Sequence, residues 1–280
     1  MVRPFLKWPG GKYRITNCIK ALLPAGERLV EPFAGSGAVF LNTDYSSYWL
    51  NDANSDLINL YCVLQKEGKS FIKYCRSFFT PENNTPERYY ELRTVFNTTP
   101  DTVLKSALLV YLNRHGYNGL VRYNSQGEYN VPFGQHKKPY FPETEMEYFF
   151  HKSQKAKFTI GDFSEVMAAA QPGDVFYCDP PYVPLSSTAN FVTYSTGGFS
   201  LEQQERLAIL AVELSQKGIP VLISNHDTVF TETAYREAKV TKLQVRRSIS
   251  CNGSNRSKVG EVLALFEGRL GYEQPRRACK

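Results

Sequence analysis

The tetrapeptide Asp179-Pro180-Pro181-Tyr182 carries the clearest chemistry in the chain. A carboxylate and a neighbouring carbonyl can together accept both hydrogens of an exocyclic amine. The prolines supply no N–H donor, stop a strand and stiffen the turn, leaving the Pro180 carbonyl to accept. The Tyr182 ring can stack on a flat base. A bare proline turn with a packed tyrosine has the same composition, so context decides between the two. The preceding residues 174–178 form an apolar run that reads as a buried strand, which places the tetrapeptide at a strand's carboxyl end, where α/β sheets bind ligands.

Two further elements suit a nucleoside cofactor. Glu31-Pro32-Phe33-Ala34-Gly35-Ser36-Gly37 follows a short strand pattern, and its glycines allow a tight turn close to a ligand. Asp52 ends the next strand pattern, where an acid can hold both hydroxyls of a ribose. The third glycine of a dinucleotide fingerprint is missing. A nucleoside such as S-adenosylmethionine therefore fits better than NAD. Near the N-terminus, Trp8-Pro9-Gly10-Gly11-Lys12 offers an indole that can pack on a cofactor and an ammonium that can meet its carboxylate. A surface turn with a packed indole is the simpler account of that element taken alone.

Other candidates are weaker. His115 and His136 stand apart in sequence, and the six cysteines form no C-x-x-C pair, which argues against a zinc site or a disulfide framework. Asn225-His226-Asp227 resembles an acid–base pair, but it lies between a strand pattern and a helix pattern, and Asp227 is expected to cap that helix.

The elements needed to position these residues are visible as periodicity. Residues 28–32, 48–52, 174–178 and 219–224 read as strands, 55–64, 102–114 and 201–217 as helices, and 240–249 with 259–266 as an antiparallel pair. Alternation at both ends predicts one α/β domain, interrupted over 56–160 by a mostly helical insertion rich in Tyr, Phe, Asn and Pro. The 280 residues, 42% hydrophobic and 21% charged, suit a soluble globular chain. No apolar run approaches the roughly 20 residues of a membrane span. The short, charged start is no signal peptide, and a cytoplasmic location is expected. Net charge is +6. Basic residues gather in two stretches, Arg114, Arg122, Lys137 and Lys138 in one, and Arg246, Arg247, Arg256 and Lys258 in the other. Phosphate contacts and solvated loops both account for them.

Taken in order, these motifs resemble those of the Dam DNA adenine-N6 methyltransferases, which belong to the α group of amino-methyltransferases. The resemblance runs from about Phe5 to Leu265 and includes Leu112-Asn113-Arg114, Val131-Pro132-Phe133-Gly134 and Ile223-Ser224-Asn225-His226-Asp227-Thr228. It implies a Rossmann-like methyltransferase domain over 1–55 and 161–270, a target-recognition domain over 56–160 and a flexible tail over 271–280. It implies that S-adenosylmethionine is held by Trp8, Lys12, Asp52 and Asp179, with Glu31, Phe33, Gly35 and Gly37 of the glycine motif. It implies methylation of double-stranded DNA at GATC by a monomer, without a metal. Tyr117 would intercalate beside the flipped base and Asn118 would meet the backbone. Leu120 and Pro132 would read thymine, Arg122 a guanine and Lys7 the first guanine, with Asn130, His136 and Lys137 completing the DNA surface. The chain departs from better-known members at Pro9, where they have Ala, and at Gln135-His136, where they have Arg-Tyr, the tyrosine helping to read the first guanine. An N4-cytosine methyltransferase usually has Ser at the position of Asp179. A silent DNA-binding regulator would be expected to have lost Asp179, Asp52 or the glycines.

Overall fold

The protein is described by a computed structural model covering residues 1–184, 199–246 and 258–268. The second basic stretch, apart from the backbone of its two end residues, and the tail lie outside these residues, as does the end of the strand expected over 240–249. Strands and helices alternate as expected, and the fold is mixed α/β. In chain order the elements are α1 (Thr16–Leu22), β1 (Arg28–Glu31), α2 (Ala38–Asn42), β2 (Ser47–Asp52), α3 (Ser55–Glu67), α4 (Lys69–Arg76), α5 (Pro86–Thr98), α6 (Thr102–His115), α7 (Glu143–Ser153), β3 (Ala156–Ile160), α8 (Phe163–Ala168), β4 (Asp174–Cys178), α9 (Leu201–Gln216), β5 (Val221–His226), α10 (Val229–Ala234), β6 (Lys239–Arg246) and β7 (Lys258–Phe266). Among the described residues, no helix is long and apolar enough to cross a membrane.

Packing divides the chain into two compact units. The first joins residues 1–20 to 34–161. In it β2 pairs in parallel with β3, from Tyr48 opposite Ala156 to Asp52 opposite Ile160. The helical part is organised around α6, whose residues from Ser106 to His115 are all buried. A helix apolar on every side needs neighbours on every side; α3, α4 and α5 supply them. The helix starts are set by side-chain caps. Asn54 accepts from the Leu57 N–H, Thr85 precedes Pro86 and accepts from Arg88, and Asp101 accepts from Val103 and Leu104. Edge-on packing of Phe5 on Tyr61 and Phe149 fixes the N-terminal segment in this unit.

The second unit comprises residues 21–33 and 162–280. Here β1, β4 and β5 are parallel neighbours, and β7 runs antiparallel between β5 and β6. All five residues of β4 are buried, as the apolar run 174–178 predicts for a strand covered on both faces. Because β1, β4 and β5 are parallel, their carboxyl ends share one edge of the sheet. Glu31 ends β1, Asp179 follows β4 and His226 ends β5. Glu261 of β7 lies opposite His226.

Two local expectations are corrected. Residues 156–160, assigned by pattern to the helical insertion, form strand β3. The cap of α10 is Thr228 rather than Asp227: its hydroxyl accepts from the Thr231 N–H, and Thr231 reciprocates. Asp227 is instead 3.0 Å from Lys242 Nζ.

Candidate active site and nucleic-acid interface

In the first unit the glycine motif and Asp52 form one hydrogen-bonded turn. Gly35 and Gly37 have φ of 47° and 69°, a region costly for any residue with a Cβ. The Gly35 N–H donates to Asp52 Oδ2 at 3.0 Å, and the Asn54 N–H donates to Oδ1 at 2.9 Å. Each carboxylate oxygen retains acceptor capacity for a hydroxyl. Burial raises the Asp52 pKa, against the lowering effect of the two N–H groups. Tyr61 closes the turn by donating to the Gly35 carbonyl at 2.5 Å.

The N-terminal element packs on this turn. A Cβ on Gly35 would lie 3.1 Å from Trp8 Nε1, so the glycine makes room for the indole. Lys12 is buried, and its ammonium donates to the Gly10 carbonyl at 2.6 Å. The half-buried indole thus lies against the Gly35 turn, while the Lys12 ammonium bonds its own exposed loop.

The second unit presents Asp179-Pro180-Pro181-Tyr182 at the end of β4. Ser224 Oγ donates to Asp179 Oδ1 at 2.8 Å and lies 3.1 Å from the Tyr177 hydroxyl. The turn is held from β5 and α9. Gln204 Nε2 donates to the Pro181 carbonyl at 2.7 Å, the Val183 N–H donates to Asn225 Oδ1 at 3.0 Å, and His226 Nδ1 meets the Val183 carbonyl at 2.7 Å. No described donor is bonded to the Pro180 carbonyl. The Tyr182 hydroxyl donates to Glu261 at 3.1 Å, and its ring meets His226 edge-on at 4.7 Å. Burial, followed by the Asp179 charge, raises the Tyr182 pKa and keeps the phenol a donor. Phe33 stacks on Phe163 at 5.3 Å and meets Phe199 edge-on.

The expected DNA surface lies wholly in the first unit. Tyr117 is 52% exposed on a one-turn helix, and Asn118 has φ of 53°. Residues 122–130 form a small hairpin in which Arg122 and Asn130 face each other. Arg122 Nε donates to Asn130 Oδ1 at 2.7 Å, and the Asn130 N–H returns a bond to the Arg122 carbonyl at 3.1 Å. Arg122, Pro132 and Lys137 are exposed, Leu120, Asn130 and His136 half-buried. Lys7 is joined to this surface by Asn113, which accepts its N–H at 2.8 Å and donates to its carbonyl at 2.7 Å. The same amide donates to the Gly119 carbonyl at 3.2 Å. Arg114 does not belong to the surface: it is buried and bonded to the Phe5 carbonyl.

Sequence reasoning missed the supporting groups. Asn54, Tyr61, Phe163, Gln204 and Glu261 carry no motif of their own, and Asn225, though part of a quoted motif, was not foreseen as a support of the Asp179 turn. The pattern signals for them were limited to the polar residues flanking each strand end.

Comparison with known proteins shows the family. Residues 8–249 match the family model for D12 class N6 adenine-specific DNA methyltransferases. The DNA adenine methylase of Escherichia coli (strain K12) is 53% identical over 265 residues, 95% of each chain. That of Salmonella typhi is 54% identical over 265 residues, also 95% of each chain. That of Vibrio cholerae O395 is 49% identical over 272 residues, 97% of this chain and 98% of the other. Solved structures resemble it only loosely; a putative RNA methyltransferase from Pyrococcus horikoshii has a TM-score of 0.37 at 11% identity, covering 92% of this chain and 79% of that one. The chain belongs to the D12 class of N6 adenine-specific DNA methyltransferases.

Proposed function

We propose that this adenine-specific DNA methyltransferase acts on GATC in double-stranded DNA, in the cytoplasm and as a monomer, flipping the target base and taking its methyl group from S-adenosylmethionine. One observation carries the catalytic assignment. Asp179 is fixed by Ser224 at the carboxyl end of β4, beside the Pro180 carbonyl to which no described donor is bonded. Two adjacent acceptors of this kind suit the two hydrogens of the adenine N6 amine.

The residues fit the cofactor. Gly35 lets the Trp8 indole lie against the turn as an aromatic face, and Asp52 can accept from ribose hydroxyls. Lys12, Glu31, Phe33 and Gly37 complete the set. S-adenosylmethionine supplies an electrophilic methyl group on a sulfonium. Asp179 and the Pro180 carbonyl hold the amine and turn its lone pair out of the ring plane, while Pro181 keeps the turn rigid. Tyr182 stacks on the flipped adenine, offsetting part of the few kcal/mol lost on leaving the duplex. Positioning and electrostatics then suffice, and no covalent enzyme intermediate is formed.

GATC is the site implied by the resemblance. In support, Arg122 is exposed with its fork steadied by Asn130, suited to the O6 and N7 of a guanine. Tyr117 stands out from its one-turn helix, suited to fill the gap left by the flipped base. Asn118, Leu120, Pro132, His136, Lys137 and Lys7 extend the same face.

The test is methylation of random-sequence DNA, followed by mapping of modified bases and nucleoside digestion. N6-methyladenine confined to GATC is expected. N4-methylcytosine overturns the chemistry, and a different consensus overturns the site. Methylation spread over sites altered at the first base shows relaxed reading there, as the departure at Gln135-His136 suggests. Asp179→Ala should abolish transfer while leaving duplex affinity within about tenfold; wild-type turnover by that variant sinks the catalytic assignment.

A further inference from the structure

We propose that the Tyr123 hydroxyl is a positioning group that ties the base-reading hairpin to the cofactor-binding turn, so that occupation of either site strengthens binding at the other. This rests on the reading of Asp52 as the ribose holder and of the hairpin as the DNA reader.

Tyr123 directly follows Arg122. Its hydroxyl donates to Asp56 Oδ2 at 2.9 Å, and the other oxygen of Asp56 lies 3.0 Å from Lys105 Nζ. Asp56 sits in the first turn of α3. The cap of that helix is Asn54, whose N–H donates to Asp52 Oδ1 at 2.9 Å. Arg122 is therefore linked to Asp52 by the Tyr123–Asp56 bond, the two-residue backbone step from Asp56 to Asn54, and the Asn54–Asp52 bond, all within one compact unit. Burial raises the Tyr123 pKa, so the phenol remains a donor at any working pH.

The hairpin is otherwise exposed at its tip, from Ser125 to Glu128. Holding such a segment in one geometry costs conformational entropy. A ribose bonded to Asp52 stiffens the turn 52–56 and, through the Tyr123–Asp56 bond, lowers the cost of ordering the hairpin on DNA. Linkage requires the reverse effect to be equal. The Tyr123 ring has separate support. It meets Tyr129 edge-on at 5.8 Å, and the Tyr129 backbone is held by Asn97 through bonds of 2.9 and 3.1 Å. Removing only the hydroxyl should leave the ring where it is.

The experiment measures affinity for a GATC duplex with and without saturating S-adenosylhomocysteine, an unreactive cofactor analogue. In the wild-type protein the analogue should tighten duplex binding by about fivefold or more. Tyr123→Phe should reduce that factor to within about twofold of unity, while leaving affinity for each partner alone nearly unchanged. Asp56→Ala, which leaves the Tyr123 hydroxyl without that acceptor, should do the same, and the double variant should lose no more than either single one. An unchanged factor in Tyr123→Phe, or no factor in the wild type, overturns the tie. Failure of the wild-type protein to bind the analogue or the duplex at all overturns the functional reading, and the tie with it.

Discussion

Asp52, proposed as the ribose holder, shows two opposing influences on one carboxylate. It is placed where water is scarce, yet two backbone N–H groups point at it. Burial wins and its pKa rises above the ordinary carboxylate value. Only the ionised form leaves both oxygens free to accept from hydroxyls. Cofactor affinity should therefore hold at neutral pH and fall as pH drops through the raised pKa, earlier than an exposed aspartate would allow. Titrating S-adenosylhomocysteine affinity against pH checks this; Asp52→Asn should bind more weakly and lose that acid limb, and an unaltered limb in the variant counts against it. Asp52 and Asp179 were legible because each is a single acid at the end of an apolar run. Their supports were not. Ser224 reaches Asp179 across 45 positions and Glu261 reaches Tyr182 across 79, and no local pattern encodes such pairs.

The 117–137 region behaves as an element only because its ends are fastened elsewhere. Tyr89 and Arg93 of α5 both donate to the Val131 carbonyl, at 3.0 Å each. Asn97 grips Tyr129, and Asn130 steadies Arg122. An arginine fork on guanine is worth about 1–3 kcal/mol of discrimination. Arg122→Ala should therefore lower discrimination at the fourth base pair of GATC by about tenfold or more, measured as kcat/KM on duplexes altered at that pair; unchanged ratios contradict the role. Gly119 tests the junction with Lys7. Its φ is 64°, and a Cβ there would fall 2.2 Å from Lys7 Cδ and 2.5 Å from Lys7 Cβ. Gly119→Ala should cost about 1–2 kcal/mol from the backbone and about 1–3 kcal/mol from overlap. It should also raise KM for DNA more than KM for cofactor. Chemical denaturation and steady-state kinetics give both numbers, and a neutral substitution refutes the contact. Legibility was uneven at this scale. The helix 102–114 was plain because its apolar run is long. Strand β3 was not: Ala156-Lys157-Phe158-Thr159-Ile160 does alternate apolar and polar, but the run is only five residues long, directly follows a helix, and none of its residues is buried. The cap of α10 differs from the expectation because Asp is the stronger cap by type, yet Thr228 occupies the capping position and forms a capping box with Thr231.

At the scale of the whole molecule, a net charge of +6 fits a protein that meets a polyanion, but charge by count overstates the basic surface. Arg114 is buried, and burial lowers the pKa of Lys7, with Arg114 adding to the effect. The α/β alternation was legible because strands and helices differ in period; the packing into two units was not, because it depends on contacts remote in sequence, such as Phe5 with Phe149. The helical unit carries its own pH sensitivity through His115. Its ring is 1% exposed, stacks on Tyr111 at 4.0 Å, meets Phe79 edge-on and bonds the Tyr111 carbonyl at 2.9 Å. Burial pushes its pKa down to about 4, helped by His136 and Lys7 and opposed by the carbonyl. The unfolded chain titrates near the ordinary 6.5 and so binds the proton first as pH falls. The neutral ring thus contributes stability that is complete above 6.5 and is lost between 6.5 and about 4. Between pH 7 and pH 5 the loss should be on the order of 2 kcal/mol. Urea unfolding at the two pH values measures it, and His115→Gln should show a correspondingly smaller drop. Should that variant fold poorly, the ring resonances of the wild-type protein decide instead: a His115 titration near its ordinary value in the folded state removes the effect altogether.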